Sequence, residues 1–138
     1  MDSNAGAEDT KRSRNALRDP LVRALLSELS AKLAKLAKTG SGSRIDLGRL
    51  PLPAGGLSAV RGVLGKGQIE ATFKGVGSCV FTETALAGVW WVQQYNTADD
   101  LVGEFIEIAY VPELLKCDRA EVDAASKDLE LKIAEGGV

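Results

Sequence analysis

The fold of this chain is decided by residues 68–111, which read QIEATFKGVGSCVFTETALAGVWWVQQYNTADDLVGEFIEIAYV. Apolar and polar residues alternate in four segments of this stretch, QIEATFK, CVFTET, GVWWVQQY and LVGEFIEIAYV. A period of two is typical of β-strands, whose successive side chains point to opposite faces of a sheet. The short connections favour antiparallel pairing. The third and fourth segments are apolar on both faces, which predicts that they lie at the centre of the sheet.

Helical segments lie on both sides of these strands. The first begins with Asp19 as N-cap and Pro20 as first helical residue, and its leucines recur at three- and four-residue spacing. The last begins with Asp118, which is predicted to form a capping box with Glu121. A short helix is predicted near residues 57–65. We therefore predict an α+β fold, in which an antiparallel sheet of about four strands packs on helices, with an N-terminal amphipathic helix and a C-terminal helix.

Composition divides the chain into a tail, a helix, a linker and one domain. Residues 1–17 are polar and low in bulk, which predicts a disordered tail. Residues 18–39 form the amphipathic helix, residues 40–44 form a glycine- and serine-rich linker, and residues 45–138 form the α+β domain. Because the linker is flexible, the helix at 18–39 can either pack on its own domain or meet the helix of a partner.

The absence of histidine limits the chemistry of the chain. It removes the Ser/His/Asp and Cys/His triads and the histidine-ligated zinc and nickel sites. Cys79 and Cys117 lie far apart in the sequence, which predicts free thiols rather than a metal knuckle or a disulfide framework. We therefore expect no enzymatic activity, no cofactor and no metal site, although carboxylate chemistry stays possible.

Charge is distributed unevenly along the chain. Residues 1–44 hold nine Lys and Arg against five Asp and Glu, and the remainder holds eight against fourteen. This asymmetry either steers a partner or a second copy, or it is ordinary solvated surface. The formal net charge of -2 argues against binding to nucleic acid. No apolar run approaches the ~20 residues that cross a bilayer, and no signal-peptide stretch opens the chain, so we expect a cytoplasmic protein without membrane contact.

The segment TETALAGVWWV, residues 82–92, is the strongest candidate for a functional motif. Glu83 and Thr84 follow a strand and are suited to cap a turn, although Glu83 is also suited to accept hydrogen bonds from a partner's backbone. Trp90 and Trp91 are adjacent on a strand, so their side chains must point to opposite faces. One can lie in the core. Trp90 needs a cover, which is either this chain or a partner surface.

Two carboxylates on the fourth strand segment are the remaining candidates. Glu104 and Glu107 are three residues apart, an odd spacing that places them on opposite faces of the strand. They therefore cannot form a paired-carboxylate site on that strand alone. Each is either an edge-of-core carboxylate or a candidate acid or base.

Four segments together resemble the HupH/HyaF family of hydrogenase expression/formation proteins. They are LPLP at 50–53, LSAVRGVLGKGQIEATF at 57–73, ETALAGVWWV at 83–92 and EFIEIAYVPELL at 104–115. The resemblance runs from about Ile45 to Cys117 and is that of a short, single-copy member, with the helices at 19–38 and 118–135 outside it. The positions that match the family pattern are Glu83, Thr84, Gly88, Trp90, Glu107 and Pro112.

The resemblance implies a chaperone-like accessory protein in the maturation of [NiFe]-hydrogenases. The implied partner is an immature hydrogenase structural subunit or another hydrogenase maturation protein, and a homodimer is possible. The candidate partner-binding residues are Glu83, Thr84, Gly88, Trp90, Glu104 and Glu107. The alternatives are an enzyme that uses Glu83, Glu104 or Glu107 as acid or base, a metal-delivery protein of the same pathway, and a structural subunit or regulator unrelated to hydrogenase.

Overall fold

The structure is a computed structural model that describes residues 3–136, with side chains described from residue 10 onwards. The helices are α1 (Ser3–Ala16), α2 (Pro20–Thr39), α3 (Gly56–Leu64) and α4 (Arg119–Ala134). The strands are β1 (Ser43–Asp46), β2 (Glu70–Gly75), β3 (Gly77–Glu83), β4 (Val89–Tyr95) and β5 (Leu101–Ile108). Two short 3-10 turns follow β1 and β5, at Leu47–Arg49 and Glu113–Leu115.

The five strands form one sheet in the order β1-β5-β4-β3-β2, and every neighbouring pair is antiparallel. The α+β class, the antiparallel sheet and the two outer helices are confirmed. The four predicted strands are β2 to β5, and β4 and β5 lie inside the sheet. The fifth strand, β1, begins within the segment predicted as a linker and pairs with β5, where Ile45 lies opposite Ile106. Four residues are too few for an alternation that sequence can reveal.

The main core lies between one face of the sheet and the helices. Its buried side chains come from α2, β1 and the 3-10 turn that follows it, α3, β4 and β5: Val22, Leu25, Leu29, Leu36, Ile45, Leu47, Val60, Leu64, Val89, Trp91, Ile106 and Ile108. Helix α2 is fixed at its ends by the Asp19 cap, whose carboxylate accepts a hydrogen bond from the Leu21 N–H at 2.8 Å, and by Gly40 in the left-handed conformation. The N-terminal amphipathic helix therefore packs on its own domain.

The opposite face of the sheet carries a smaller cluster. Cys79, Phe81, Trp90 and Val92 are buried there. The chain after β5, residues 109–117, turns back over this face, and we call it the return segment. Within it, Pro112 is fully buried and Leu115 packs against the cluster. The two faces thus differ, because helices cover one and a single extended segment covers part of the other.

Helix α1 occupies residues for which composition predicts a disordered tail. It covers Ser3–Ala16, while the first two residues of the predicted tail lie outside the described part of the chain. Ala16 is buried, Leu17 packs against the main core, and the Ser13 hydroxyl donates to the Ser58 hydroxyl at 3.4 Å. The small and polar residues of α1 give little sign of this packing in the sequence.

Helix α4 behaves differently from α2, although both begin with an aspartate cap. The predicted capping box is present: the Asp118 carboxylate accepts from the Glu121 N–H at 2.8 Å, and the Glu121 carboxylate accepts from the Asp118 N–H at 3.4 Å. Every residue from Arg119 to Gly136 is nevertheless exposed. The apolar stripe of this helix is therefore not part of either core. Among the helices of residues 3–136, none combines the length and apolar character that a bilayer crossing requires.

Candidate functional site

Glu83 lies at the end of β3 and ties that strand to the chain that enters β2. Its carboxylate accepts hydrogen bonds from the backbone N–H groups of Gln68 at 3.3 Å and Ile69 at 3.1 Å. The close approach also explains Gly67, where an added Cβ would lie 2.6 Å from the Thr84 carbonyl oxygen. Glu83 thus accepts hydrogen bonds from backbone N–H groups, as expected from its place after a strand. The donors belong to its own chain and not to a partner.

Thr84 and Gly88 build the turn between β3 and β4. Thr84 is 3% exposed, and its hydroxyl donates to the Val89 carbonyl oxygen at 2.8 Å and accepts from the Leu86 N–H at 3.2 Å. Gly88 has a φ of 87°, a left-handed conformation that favours glycine. The turn also packs against α2, since a Cβ added at Gly88 would lie 3.1 Å from Leu33 Cδ1.

The two tryptophans point to opposite faces, as predicted, and both are buried. Trp91 belongs to the main core, and its indole N–H donates to the Glu104 carboxylate at 2.8 Å. Trp90 is 7% exposed in the smaller cluster, and its indole N–H donates to the Ala109 carbonyl oxygen at 3.2 Å. The cover that Trp90 requires is therefore supplied by the return segment of its own chain.

A cleft of about 520 Å³ lies between α3 and the sheet. It brings together three predicted site residues, Glu83, Thr84 and Glu104, beside the basic side chains of Arg61 and Lys66. The Glu104 carboxylate is held by Trp91 and also accepts from the Gln93 amide at 3.1 Å. The Arg61 guanidinium lies 5.0 Å from the centre of the Trp91 ring, a distance at which a cation is attracted to the ring face. The cleft thus carries both acidic and basic side chains, and its carboxylates are hydrogen-bonded within the chain.

A groove of about 590 Å³ lies on the opposite face, between β1 and the return segment. Glu107 lines it, and its carboxylate accepts from the Glu113 N–H at 3.0 Å, which anchors the return segment. Arg44, across the strand pair from Glu107, stacks on Phe105 with its guanidinium 3.9 Å from the ring centre. Cys79 also lines the groove, and burial raises the pKa of its thiol, with Arg44 acting in the opposite direction.

The groove continues into a second hollow of about 500 Å³ at the β2–β3 hairpin. The two hollows share Cys79, Gln94 and Leu114. We call this continuous surface the open face. Four large apolar side chains on it are exposed, namely Phe73, Val76, Val102 and Leu114, which range from 43% to 101% exposed. Clustered exposed apolar residues are typical of surfaces that bind other proteins.

The predicted site residues are therefore divided between several places. Glu83, Thr84 and Glu104 line the cleft, Glu107 lines the groove, Trp90 is buried, and Gly88 is half-buried in the turn between β3 and β4. Among the side chains described in residues 10–136, no three from Cys, Asp or Glu lie close enough together to hold a metal ion. Sequence reasoning missed Arg44 and Arg61. Arg44 fell in the predicted linker, and no pattern in the sequence shows that either arginine lies over an aromatic ring.

The chain was compared with known proteins. The family model of the HupH hydrogenase expression protein, C-terminal conserved region, matches residues 20–135. This match includes α2 and α4, so the narrower resemblance over Ile45 to Cys117 is corrected. The chain is 34% identical over 100 residues to the hydrogenase expression/formation protein HupH of Rhodobacter capsulatus, covering 72% of this chain and 36% of that protein.

Two further proteins are similar. The hydrogenase expression/formation protein HoxQ of Azotobacter vinelandii is 34% identical over 97 residues, covering 70% of this chain and 34% of that protein. The chain thus spans about a third of the length of the curated relatives that it matches. The solved structure of the hydrogenase expression protein HupH from Thiobacillus denitrificans ATCC 25259 is 40% identical, with a TM-score of 0.77 over 85% of this chain and 98% of that one.

Proposed function

We propose a function for this chain from the premise that it belongs to the family of HupH hydrogenase expression proteins, through their C-terminal conserved region. The chain acts as an accessory, chaperone-like protein in [NiFe]-hydrogenase maturation. It binds an immature hydrogenase subunit or another maturation factor. The observation that carries this proposal is the match over residues 20–135, which spans all but the first of the helices and strands. A cytoplasmic location is part of the proposal.

The open face is the surface that we assign to the client. It offers exposed apolar side chains around Leu114, and the adjoining groove is lined by two side chains of opposite charge, Arg44 and Glu107. Apolar anchors beside a few polar groups are the usual composition of a protein-binding surface. A client held there would cover apolar surface that is otherwise in contact with water.

A binding role without catalysis agrees with the state of the carboxylates. Glu83, Glu104 and Glu107 each accept hydrogen bonds from groups of their own chain, which hold them in fixed structural positions. The enzyme alternative draws its only support from the meeting of Glu83 and Glu104 in one cleft. The metal-delivery alternative would need ligands shared between chains, because histidine is absent from the sequence.

The proposal is tested by affinity capture of the tagged chain from cells that make hydrogenase, followed by mass spectrometry. We expect to recover a hydrogenase subunit or another maturation factor. Leu114→Glu places a charge on the open face and is expected to abolish recovery. Leu21→Glu is the matched control, since Leu21 is also about half exposed but lies in the first turn of α2. Equal recovery by both variants would remove the open face from the proposal, and recovery of no such protein by the unaltered chain would contradict the binding role.

A further inference from the structure

Strand β2 is an edge of the sheet, and among residues 3–136 its outer side pairs with no other strand. The edge at the opposite end, β1, has four residues, whereas β2 has six, of which five are exposed. Proline residues and β-bulges usually protect an edge strand from pairing with another chain. The sequence of β2 contains no proline, and its pairing with β3 runs without a register shift. The backbone of β2 is therefore open to a further strand.

The hydrogen bonds between β2 and β3 show which backbone groups of β2 point outward. The Glu83 N–H donates to the Ile69 carbonyl oxygen at 2.9 Å, so these two residues form a hydrogen-bonded pair. Hydrogen-bonded and non-hydrogen-bonded pairs alternate along an antiparallel ladder. From this pair, the register places the N–H and carbonyl groups of Glu70, Thr72 and Lys74 on the outer side of β2. These are the groups that an added strand would bond.

Two side chains of opposite charge lie on β2 at equal distances from Thr72. Glu70 precedes it by two residues and Lys74 follows it by two. Both are exposed, and neither forms an ion pair with another side chain described in residues 10–136. Charges on an edge strand usually oppose pairing with another chain, but charges of opposite sign attract when they lie opposite each other on neighbouring strands.

We propose that β2 pairs antiparallel with β2 of a second copy of this chain, about a twofold axis at Thr72. Thr72 then lies opposite its counterpart, and Glu70 of each copy lies opposite Lys74 of the other. These are the three residues whose backbone groups point outward, so the two strands exchange hydrogen bonds at each position. Thr–Thr pairs and pairs of opposite charge are both favourable across neighbouring strands. The twofold axis forms the charge pair twice.

The charges select this register among the antiparallel ones. Registers that keep the outward-pointing groups paired differ by steps of two residues. A shift of one step places Glu70 or Lys74 opposite Thr72 and separates both charge pairs, and a shift of two steps opposes two glutamates or two lysines. A parallel pair forms the Glu70–Lys74 contact at most once, because the two strands then run in the same direction.

The other face of the strand pair is apolar. Ala71, which packs against the smaller cluster, lies opposite Phe73 of the second copy, so a small side chain meets a large one. Phe73 is 43% exposed and would lose contact with water. The axis is perpendicular to the sheet, which places the open faces of both copies on the same side. The groove and Leu114 stay accessible, and the pairing does not depend on what the open face binds.

The short strand sets the strength of the pairing. Six residues of each copy bury less than the ~1,600 Å² of a standard interface. We therefore expect a reversible dimer with a dissociation constant of about 10–100 µM.

Sedimentation velocity of the purified full chain, from about 5 to 500 µM, tests the pairing. We expect the unaltered chain to change from monomer to dimer within this range. Glu70→Lys opposes two lysines at both ends of the strand pair and should weaken association at least about tenfold. Adding Lys74→Glu to that variant exchanges the two charges and should restore association to within about twofold of the unaltered chain.

Glu130→Lys is the matched control, because it changes the net charge equally at an exposed position of α4. It should leave association unchanged. A chain that is monomeric throughout the range overturns the proposal. Equal weakening by Glu70→Lys and Glu130→Lys does the same, and so does a doubly substituted chain that associates as weakly as Glu70→Lys alone.

A disulfide trap tests the direction and the position of the axis. Opposite residues of a hydrogen-bonded antiparallel pair have Cα atoms about 5.5 Å apart, within the range of a disulfide. Thr72→Cys in a Cys117→Ser background should therefore form a covalent dimer with diamide at concentrations where the chain associates. Val76→Cys in the same background is the control, since Val76 is fully exposed and would lie about 25 Å from its counterpart. Faster crosslinking through position 76 than through position 72 would overturn the proposed register.

Discussion

The turn between β3 and β4 shows how single residues serve the fold. Glu83, Thr84 and Gly88 were predicted to contact a partner, and the structure gives each a contact within its own chain. The Thr84 hydroxyl bonds to backbone groups of Leu86 and Val89 and so ties the two sides of the turn together. Whether the same residues also meet a partner stays a prediction. The contacts within the chain are sufficient to explain why the turn needs these residue types.

Gly88→Ala tests this explanation. The added Cβ would require a left-handed φ of 87° and would approach Leu33 and Leu36 within 3.1 and 3.2 Å. We expect the free energy of unfolding, measured by urea denaturation, to fall by about 1–3 kcal/mol. Gly62→Ala is the control, because α3 is regular there and nothing lies within 4 Å of the new Cβ. It should raise stability by about 0.5–1 kcal/mol. A Gly88→Ala protein as stable as the unaltered chain would contradict the role of the turn.

The two cysteines should differ in reactivity. Burial raises the pKa of the Cys79 thiol, and only the thiolate is nucleophilic, whereas Cys117 is exposed. We expect iodoacetamide at neutral pH to modify Cys117 first and Cys79 only after unfolding, as measured by peptide mass spectrometry.

The raised pKa of the Cys79 thiol should also make the free energy of unfolding depend on pH in the alkaline range. Above about pH 8.5 the unfolded chain releases the Cys79 proton while the folded chain keeps it, so stability falls as pH rises. Cys79→Ala should remove this part of the fall in the free energy of unfolding as the pH rises, as measured by urea denaturation at several pH values.

Among the helices, α2 and α4 have similar N-terminal caps but differ in how far their side chains are buried. Both have an aspartate cap and an apolar stripe, which is all that sequence periodicity can report. Val22, Leu25, Leu29 and Leu36 of α2 are buried in the main core, and no residue of α4 is buried. Burial depends on where the sheet lies relative to each helix, which a local pattern does not contain.

The caps provide a matched pair of substitutions. Asp19→Ala removes the cap of a helix packed in the core and should lower the free energy of unfolding by about 1 kcal/mol. Asp118→Ala removes the cap of α4 and should reduce helical circular dichroism while leaving the unfolding midpoint of the sheet unchanged at low protein concentration. Tryptophan fluorescence follows the sheet, since Trp90 and Trp91 both lie on β4. A fall in the midpoint with Asp118→Ala would mean that α4 contributes to the stability of its own domain.

At the scale of the whole molecule, the sheet separates two faces with different tasks. One face is closed by helices and holds the larger core. The other is closed in part by the return segment, which Glu107 anchors, and presents the open face beside it. The central position of β4 and β5 follows from their apolar residues on both sides, and it joins the two cores through adjacent side chains such as Trp90 and Trp91.

Truncation from each end should have unequal effects. Removing residues 1–17 deletes the buried Ala16 and the packed Leu17, and we expect a loss of about 1–3 kcal/mol in urea unfolding. Removing residues 119–138 deletes α4, which packs no buried residue, and should leave the midpoint of the monomer unchanged. The two deletions are similar in length and serve as controls for each other. If the chain without residues 1–17 were as stable as the full chain, a disordered tail would describe these residues better than a packed helix does.

The α+β class, four of the five strands, the central position of two of them and the caps of α2 and α4 could all be predicted from the sequence. These features depend on local periodicity and on side chains that bond to nearby backbone. The folded chain is needed to see that β1 joins the sheet, that α1 packs on the domain, that Trp90 is covered by its own chain, and that Glu83 and Glu104 meet Arg61 in a cleft. Each of these is a contact between segments distant in sequence, and its energy comes from burial and pairing that no local pattern encodes.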